Sequence, residues 1–132
     1  MSGPRDMWVA VLRLEIHVPG ARSRKDRRQV VKSLKERLRG KFGIACNEVG
    51  DLDTWTRATL GAAAIAGSER EAAQFADEIV RYAQNDPEGV LAHVDRDIFR
   101  YDGPDEDEND DEDGYREADE PDEAAADSGE PR

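Results

Sequence analysis

Hydrophobic and polar residues alternate over the segment from Met7 to Val18, and a two-residue period of this kind predicts a β-strand with one buried face. Pro19 and Gly20 follow directly, which favours a turn at that point. The residues predicted to face the core are Trp8, Ala10, Leu12, Leu14, Ile16 and Val18. The opposite face of the strand carries Arg13, Glu15 and His17.

The pattern changes to helical spacing over the segment from Arg22 to Lys41. At about 100° per residue, its apolar side chains fall within roughly one third of the circumference, as expected of a stripe that packs on a core. These side chains are Val30, Val31, Leu34 and Leu38. Ser23 and Asp26 have the spacing of a capping box, and glycines at positions 40 and 43 are stop signals. We therefore predict an amphipathic helix over residues 23–40.

The remaining pattern predicts two strands, a helix and a final strand. Residues 42–49 read as a short strand. Alanines favour a helix for residues 54–66, but clustered Thr, Trp and Ile and a central Gly61 favour a strand more strongly. A Ser-Glu-Arg-Glu capping box begins a second helix at residue 68. Residues 89–101 read as the last strand.

The predicted order is β-α-β-β-α-β. Two β-α-β crossovers on one antiparallel sheet give a ferredoxin-like α+β sandwich in which the first and third strands are central. We place this domain at residues 7–101, after a flexible N-terminus of residues 1–6.

The charge of the chain divides at Tyr101. The formal net charge is −12, but residues 1–101 carry 17 Lys and Arg against 15 Asp and Glu, whereas residues 102–132 carry 2 against 16. The second segment contains no apolar cluster, so we predict a disordered acidic tail. Such a tail either adds solubility or competes with polyanions for basic surfaces. Deleting residues 103–132 distinguishes the two, because only competition predicts a change in RNA binding.

Composition favours a cytoplasmic protein without an active site. A single cysteine, Cys46, excludes an internal disulfide, and no apolar run of signal-peptide or membrane-span type is present. His17 and His93 lack the spaced ligands of a metal centre. No nucleophile, paired-carboxylate or phosphate-loop motif is present either. We expect no enzyme activity, no cofactor, no bound metal, no small-molecule substrate and no membrane partner.

Basic residues dominate the first predicted helix, with ten Lys or Arg among the twenty residues from Arg22 to Lys41. Arg24, Lys25 and Arg27 occupy its first turn, where the helix dipole disfavours cations. Free N–H groups at a helix start, joined by cations, suit a phosphate. A solvated, solubilising face is the alternative interpretation. The predicted phosphate contacts are Arg22, Arg24, Lys25, Arg28, Lys32, Lys35 and Arg39.

The polar face of the predicted sheet is a second candidate surface. Trp55 and Arg57 lie on it, and Trp55 has the chemistry to stack on a base. The third strand lacks the aromatic-glycine motif of single-stranded RNA binders, which ranks this face below the helix. The same face is also suited to pairing two subunits, so a homodimer remains an open alternative.

The order of residues resembles the bacterial YlxP-like family, a domain of unknown function. The resemblance covers about residues 7–101 and runs through P-G-A-R-S-x-K-D, a basic V-V-x-x-L-x-x-R-L-R helix and D-x-W-x-R-A-x-x-G. The matching positions are Pro19, Gly20, Arg22, Ser23, Lys25, Asp26, Arg28, Val30, Val31, Leu34, Leu38, Phe42, Glu48, Val49, Asp53, Trp55, Arg57, Ala58 and Gly61. Arg24, Gly43 and Thr56 depart from the family's usual Leu, Asn and Gln.

The resemblance implies a ferredoxin-like fold and supplies no catalytic residues. Genes of the family are commonly found beside translation and ribosome-maturation genes, which implies a ribosome- or RNA-linked role. We therefore predict a non-enzymatic cytoplasmic protein that binds RNA or a ribosomal particle through residues 23–40. The alternative is a homodimeric interaction module whose basic helix docks an acidic protein.

Overall fold

A computed structural model describes residues 6–50 and 56–104 of the chain. Their elements are β1 (Trp8–His17), α1 (Arg24–Phe42), β2 (Ala45–Val49), β3 (Arg57–Ala66), α2 (Glu69–Gln84) and β4 (Val90–Arg100). The chain divides into two units, Met1–Tyr101 and Asp102–Arg132, and all six elements belong to the first. Along the described segments, no helix has the length and apolar character to cross a membrane.

The four strands form one antiparallel sheet in the order β2-β3-β1-β4. The first and third strands are therefore central, and the βαββαβ order is that of a ferredoxin-like α+β sandwich, which confirms the predicted fold. Residues 57–66 pair along the whole of β1, from Arg57 opposite His17 to Ala66 opposite Trp8. The strand interpretation of this segment is confirmed, and the helix suggested by its alanines is wrong.

Both helices begin at a serine that caps the first turn. The Ser23 Oγ accepts a hydrogen bond from the Asp26 N–H at 3.2 Å, and the Asp26 carboxylate accepts one from the Arg22 N–H at 3.0 Å. In α2 the Ser68 Oγ and the Glu71 N–H form the same bond at 3.1 Å. These bonds satisfy donors that have no partner inside a helix, so both predicted starts are confirmed.

The end of α1 differs from the prediction. The helix continues past Gly40 to Phe42 and stops at Gly43, which has φ of 64° and donates its N–H to the Arg39 carbonyl. A left-handed residue of this kind is the usual C-terminal cap, and glycine adopts it without strain. Phe42 thus belongs to α1 rather than to the second strand, and its ring meets the Tyr82 ring edge-on at 5.9 Å between centroids.

The core lies between the sheet and the two helices. On the helix side of β1 the alternate residues from Ala10 to Ile16 are fully buried, as predicted, whereas Trp8 is half-buried, and the small residues of β3 lie beside them. Val31, Leu34 and Leu38 form the buried stripe of α1, whereas Val30 is half-buried at its margin. No helix among residues 6–50 and 56–104 covers the other face of the sheet, which is called the open face below.

Three of the predictions concern residues that the structure does not describe. Residues 1–5 of the proposed N-terminus, Trp55, and residues 105–132 of the acidic tail lie outside the described residues.

Candidate nucleic-acid interface

Seven of the nine cations of α1 belong to two groups that differ in their partners. Arg27 is the clearest member of the inner group, because its residue is only 1% exposed. Its guanidinium donates to the Glu48 carboxylate on β2, and its Nε donates to the Arg57 carbonyl at 2.9 Å. A buried cation of this kind requires such partners. Arg27 therefore joins α1 to the sheet. It no longer counts among the first-turn cations that favoured an anion site.

Arg37 is the second inner cation. It donates to the Asp86 carboxylate, to the Tyr82 hydroxyl at 3.3 Å and to the Ser33 hydroxyl at 3.2 Å. The hydrogen bond to Asp86 raises the pKa of Arg37 above its ordinary value. Burial alone would raise the pKa of Asp86, but the bonds from Arg37 and from the Gly89 and Glu88 N–H groups outweigh burial and lower it. Arg37 thus connects α1 to the end of α2.

The outer group consists of five cations, which we call the basic flank. It contains Arg24, Lys25, Arg28, Lys32 and Lys35. At about 100° per residue they share one arc of roughly 100° beside the buried stripe. The first four are exposed and Lys35 is half-buried. Within residues 6–50 and 56–104, no carboxylate pairs with any of the five.

The basic flank is straight and rigidly supported. Arg24 and Lys35 are eleven residues apart in an uninterrupted helix, which corresponds to about 17 Å at 1.5 Å per residue. Arg39 lies on the same arc and contacts β2, whereas Arg37 lies on the opposite side and contacts α2. The flank therefore lies along the β2 side of the helix layer.

Arg39 and Arg22 are the two predicted phosphate contacts that are not members of the basic flank. Arg39 donates from Nε to the Cys46 carbonyl at 2.8 Å and from its guanidinium to the Asn47 side chain at 2.6 Å. Those acceptors are uncharged, so Arg39 keeps its charge at the end of the flank but has fewer free donors than predicted. Arg22 precedes the helix by two residues, is exposed, and has no acidic partner for its guanidinium in the described part of the chain.

The start of α1 offers less room for a phosphate than the sequence suggested. The Ser23 side chain already occupies the Asp26 N–H, and the Asp26 carboxylate lies in the first turn. An acid at this position competes with an anionic ligand for the positive end of the helix dipole. The candidate interface is therefore the side chains of the basic flank rather than the backbone at the helix start.

The open face carries paired charges. Arg57 lies on it as predicted and contacts the Glu15 carboxylate at 3.4 Å. Asp95 accepts from His93 and Arg13, both at 3.0 Å, and these contacts lower its pKa. Of the aromatic residues in the described strands, only Phe99 faces this side. The described strands of the open face thus lack the row of aromatic side chains that stacks on single-stranded RNA.

The described residues contain no cluster of metal ligands. No group of three or more His, Cys, Asp or Glu is arranged to hold an ion there. Cys46 is buried, and desolvation raises the pKa of its thiol despite the opposing effect of Arg39 and Lys35. A raised pKa keeps a thiol protonated, which is the opposite of what a nucleophile requires.

These observations define a class: a small ferredoxin-like α+β domain with a basic, unpaired helix flank. The chain belongs to the family "Protein of unknown function (DUF503)", whose profile matches residues 9–96. The Bacillus subtilis (strain 168) protein named "Uncharacterized protein YlxP" is 31% identical over 68 residues, which is 52% of this chain and 74% of that protein. The resemblance to YlxP-like proteins is confirmed.

A solved structure also resembles the chain. The solution NMR structure of the de novo designed protein LFR1 1, with ferredoxin fold, aligns with 74% of this chain and 89% of its own. The TM-score is 0.37 and the sequence identity is 14%. The fold assignment rests on the order and pairing of the strands described above.

The inner roles of Arg27 and Arg37 were not predicted, although the sequence held a signal for that of Arg27. On the helical wheel Arg27 falls between Leu34 and Val31, inside the apolar stripe, and a charge there indicates a buried partner. Glu48, one of the positions that matches the family pattern, is that partner. The partner of Arg37 gave no such signal, because Asp86 lies 49 residues away in the turn after α2.

Proposed function

We propose that this protein is a non-enzymatic cytoplasmic protein that binds RNA, free or in a ribosomal particle, through the basic flank of α1. The observation that carries the proposal is the contrast in pairing along one helix. Arg27 and Arg37 are held by carboxylates, whereas the five cations of the flank have no acidic partner among the described residues. Exposed cations on one rigid arc suit a ligand that brings its own row of negative charges.

The flank favours contacts with the phosphate backbone rather than with bases. Its members are all Lys or Arg, with no aromatic side chain among them. Contacts of this kind position a nucleic acid without reading its sequence. Five phosphate contacts predict that log affinity falls against log salt concentration with a slope of about −3.5 to −4.5.

A matched pair of charge reversals tests the proposal. Arg28→Glu with Lys32→Glu changes two cations of the flank, and Arg70→Glu with Arg81→Glu changes two exposed arginines of α2. Both double variants alter the net charge equally. We expect the flank variant to lose at least tenfold in affinity for RNA and the α2 variant to stay within about twofold. Equal losses, or no RNA binding by the unaltered chain, would refute the proposal.

Co-sedimentation with ribosomes, with and without ribonuclease, distinguishes free RNA, a ribosomal particle and an acidic protein as the ligand of the flank. Binding of both free RNA and particles supports RNA recognition, and loss of the captured partner after ribonuclease supports it further. A partner that survives ribonuclease and still depends on Arg28 and Lys32 indicates an acidic protein instead, and would replace RNA as the ligand of the flank.

A further inference from the structure

The open face of the sheet is apolar at one end and polar at the other. In β1, β3 and β4 the residues Val9, Ile65 and Phe99 lie side by side in register, and Val11 lies opposite Ala63 in the next row. Ile65 is 59% exposed, and Val11 and Phe99 are also among the exposed large apolar residues. Apolar residues that are contiguous across three strands, rather than scattered, mark an interaction surface.

The charges beside this apolar end have both signs. Arg13 lies one row further along, paired with Asp95, and Arg57 pairs with Glu15 at the polar end. Asp97 adds one exposed acid next to Val11. The open face is therefore close to neutral, in contrast with the basic flank. A nearly neutral face with both signs suits a copy of itself better than it suits a polyanion.

The shape of the open face is also compatible with pairing to a second copy of the chain. A depression of about 350 Å³ lies over Gly61, between Val11, Arg13 and Val49. A second apolar cavity, of about 270 Å³, lies at the edge of the sheet near the start of β2 and belongs to the helix layer, because Phe42 of α1 and Phe75 of α2 line it together with Ile65. Only the depression over Gly61 lies on the open face, beside the exposed Val11.

The sheet is large enough for a stable dimer. Its four strands contain 10, 5, 10 and 11 residues. At about 3.3 Å per residue and 4.8 Å between strands they span a flat area on the order of 600 Å². Side chains raise the accessible area above this value, towards the roughly 800 Å² per partner of a standard interface.

We propose that two copies of the chain pair through their open faces, with a two-fold axis parallel to the strands between β1 and β3. This axis keeps each row at its own level and places β1 of one copy on β3 of the other. Val9 then meets Ile65 and Val11 meets Ala63 of the second copy. Sheets packed face to face keep their strands within about 30° of each other, so these rows stay in contact near the axis.

The same axis accounts for the depression over Gly61. Arg13 of one copy lies over Gly61 of the other, where the missing side chain leaves room for the guanidinium. Because the contact is mainly apolar and each chain has a net charge of −12, added salt screens the repulsion and strengthens the dimer. Salt weakens RNA binding, so the opposite salt dependences distinguish dimerisation from RNA binding.

Sedimentation velocity of the full chain over a wide range of concentration tests the pairing. We expect a reversible dimer, and we expect Ile65→Lys to raise its dissociation constant at least tenfold. Val90→Lys is the matched control, because Val90 is 52% exposed but lies at the polar end of β4. It should stay within about threefold. A monomeric unaltered chain, or equal effects of the two lysines, would overturn the proposal.

Gly61→Val separates dimerisation from folding. A Cβ at this position meets nothing closer than 3.5 Å, at Val49, so the strand accommodates it. Valine also suits a strand better than glycine does. We expect the urea midpoint of the monomer to stay the same or rise while the dimer weakens at least fivefold. An unchanged dimer would show that Arg13 does not lie over Gly61 and would exclude the proposed axis.

Discussion

The inner and outer cations of α1 are the same residue types on the same helix, yet they have different roles. Arg27 and Arg37 face the sheet and α2, and both reach carboxylates there. Arg28 and Lys32 face outward, where the described residues supply no acid. The comparison shows that the number of basic residues overstates the charge that is available to a partner, because part of that charge is used to hold the fold together.

The outer cations stabilise the fold little, which is why their placement is informative. Arg24 and Lys25 lie at the positive end of the helix dipole, where acids are preferred. Asp26 and the Ser23 cap already satisfy this end of the helix. Basic residues that oppose local stability without serving the core are typical of a functional surface.

The largest expected effect lies on the inner side. Arg27→Ala leaves the Glu48 carboxylate without its cation and the Arg57 carbonyl without a donor, and breaking a buried pair of this kind costs about 3–5 kcal/mol. The free energy of unfolding from urea titration measures the loss. Combining Arg27→Met with Glu48→Leu should recover much of it, since both charges are then removed. A loss below about 1 kcal/mol for Arg27→Ala would contradict an essential inner role.

A smaller effect is expected at the second inner pair. Asp86→Asn weakens the charged bonds to Arg37 and to the Gly89 N–H, and should lower the free energy of unfolding by about 2 kcal/mol at neutral pH. The lowered pKa of Asp86 means that its contribution is present above the pKa of the unfolded chain. That contribution is lost as pH falls through the folded value.

The pH dependence provides the control for Asp86. Unfolding titrations of the unaltered chain and of Asp86→Asn should differ most near neutral pH and converge in acid, because protonation removes the same charge that the substitution removes. A difference that stays constant into strong acid would show that the substitution disturbs packing rather than the pair with Arg37.

The smallest effect has the opposite sign and lies on the outer side. Arg24→Glu and Lys25→Glu place acids at the start of α1, and each should raise the free energy of unfolding by roughly 0.3–1 kcal/mol at low salt. The same variants should weaken RNA binding. Urea titration and an RNA-binding assay on one preparation measure both quantities. Unchanged RNA affinity alongside increased stability would show that the helix start takes no part in the interface.

The fold followed closely from the sequence because its signals agreed with one another. Alternation in β1, the caps Ser23 and Ser68, and clustered strand formers in β3 all led to one topology. The error lay at the end of α1, where Gly40 read as a stop. Glycine inside a helix costs only about 1 kcal/mol relative to alanine, so the helix continues to the left-handed Gly43.

The candidate site was only partly predictable. Helical spacing alone placed Arg28, Lys32 and Lys35 on one arc, since they depend on no distant contact. The partners of Arg37 and Arg39 depend on the turn after α2 and on β2, and local pattern does not encode those distances. Spacing therefore predicts which cations share a face, whereas tertiary packing decides which of them are neutralised.

One bond has a consequence for how the protein behaves when concentrated. β2 is an edge strand of the sheet. An edge strand can pair with a strand from another chain, which is a route to aggregation into fibrils. Arg39 reaches across from the helix and donates to the Cys46 carbonyl, so that this backbone acceptor of β2 already has a partner. The Arg39 side chain thus lies over part of β2, and covering an edge strand is one way in which native sheets resist pairing with another chain.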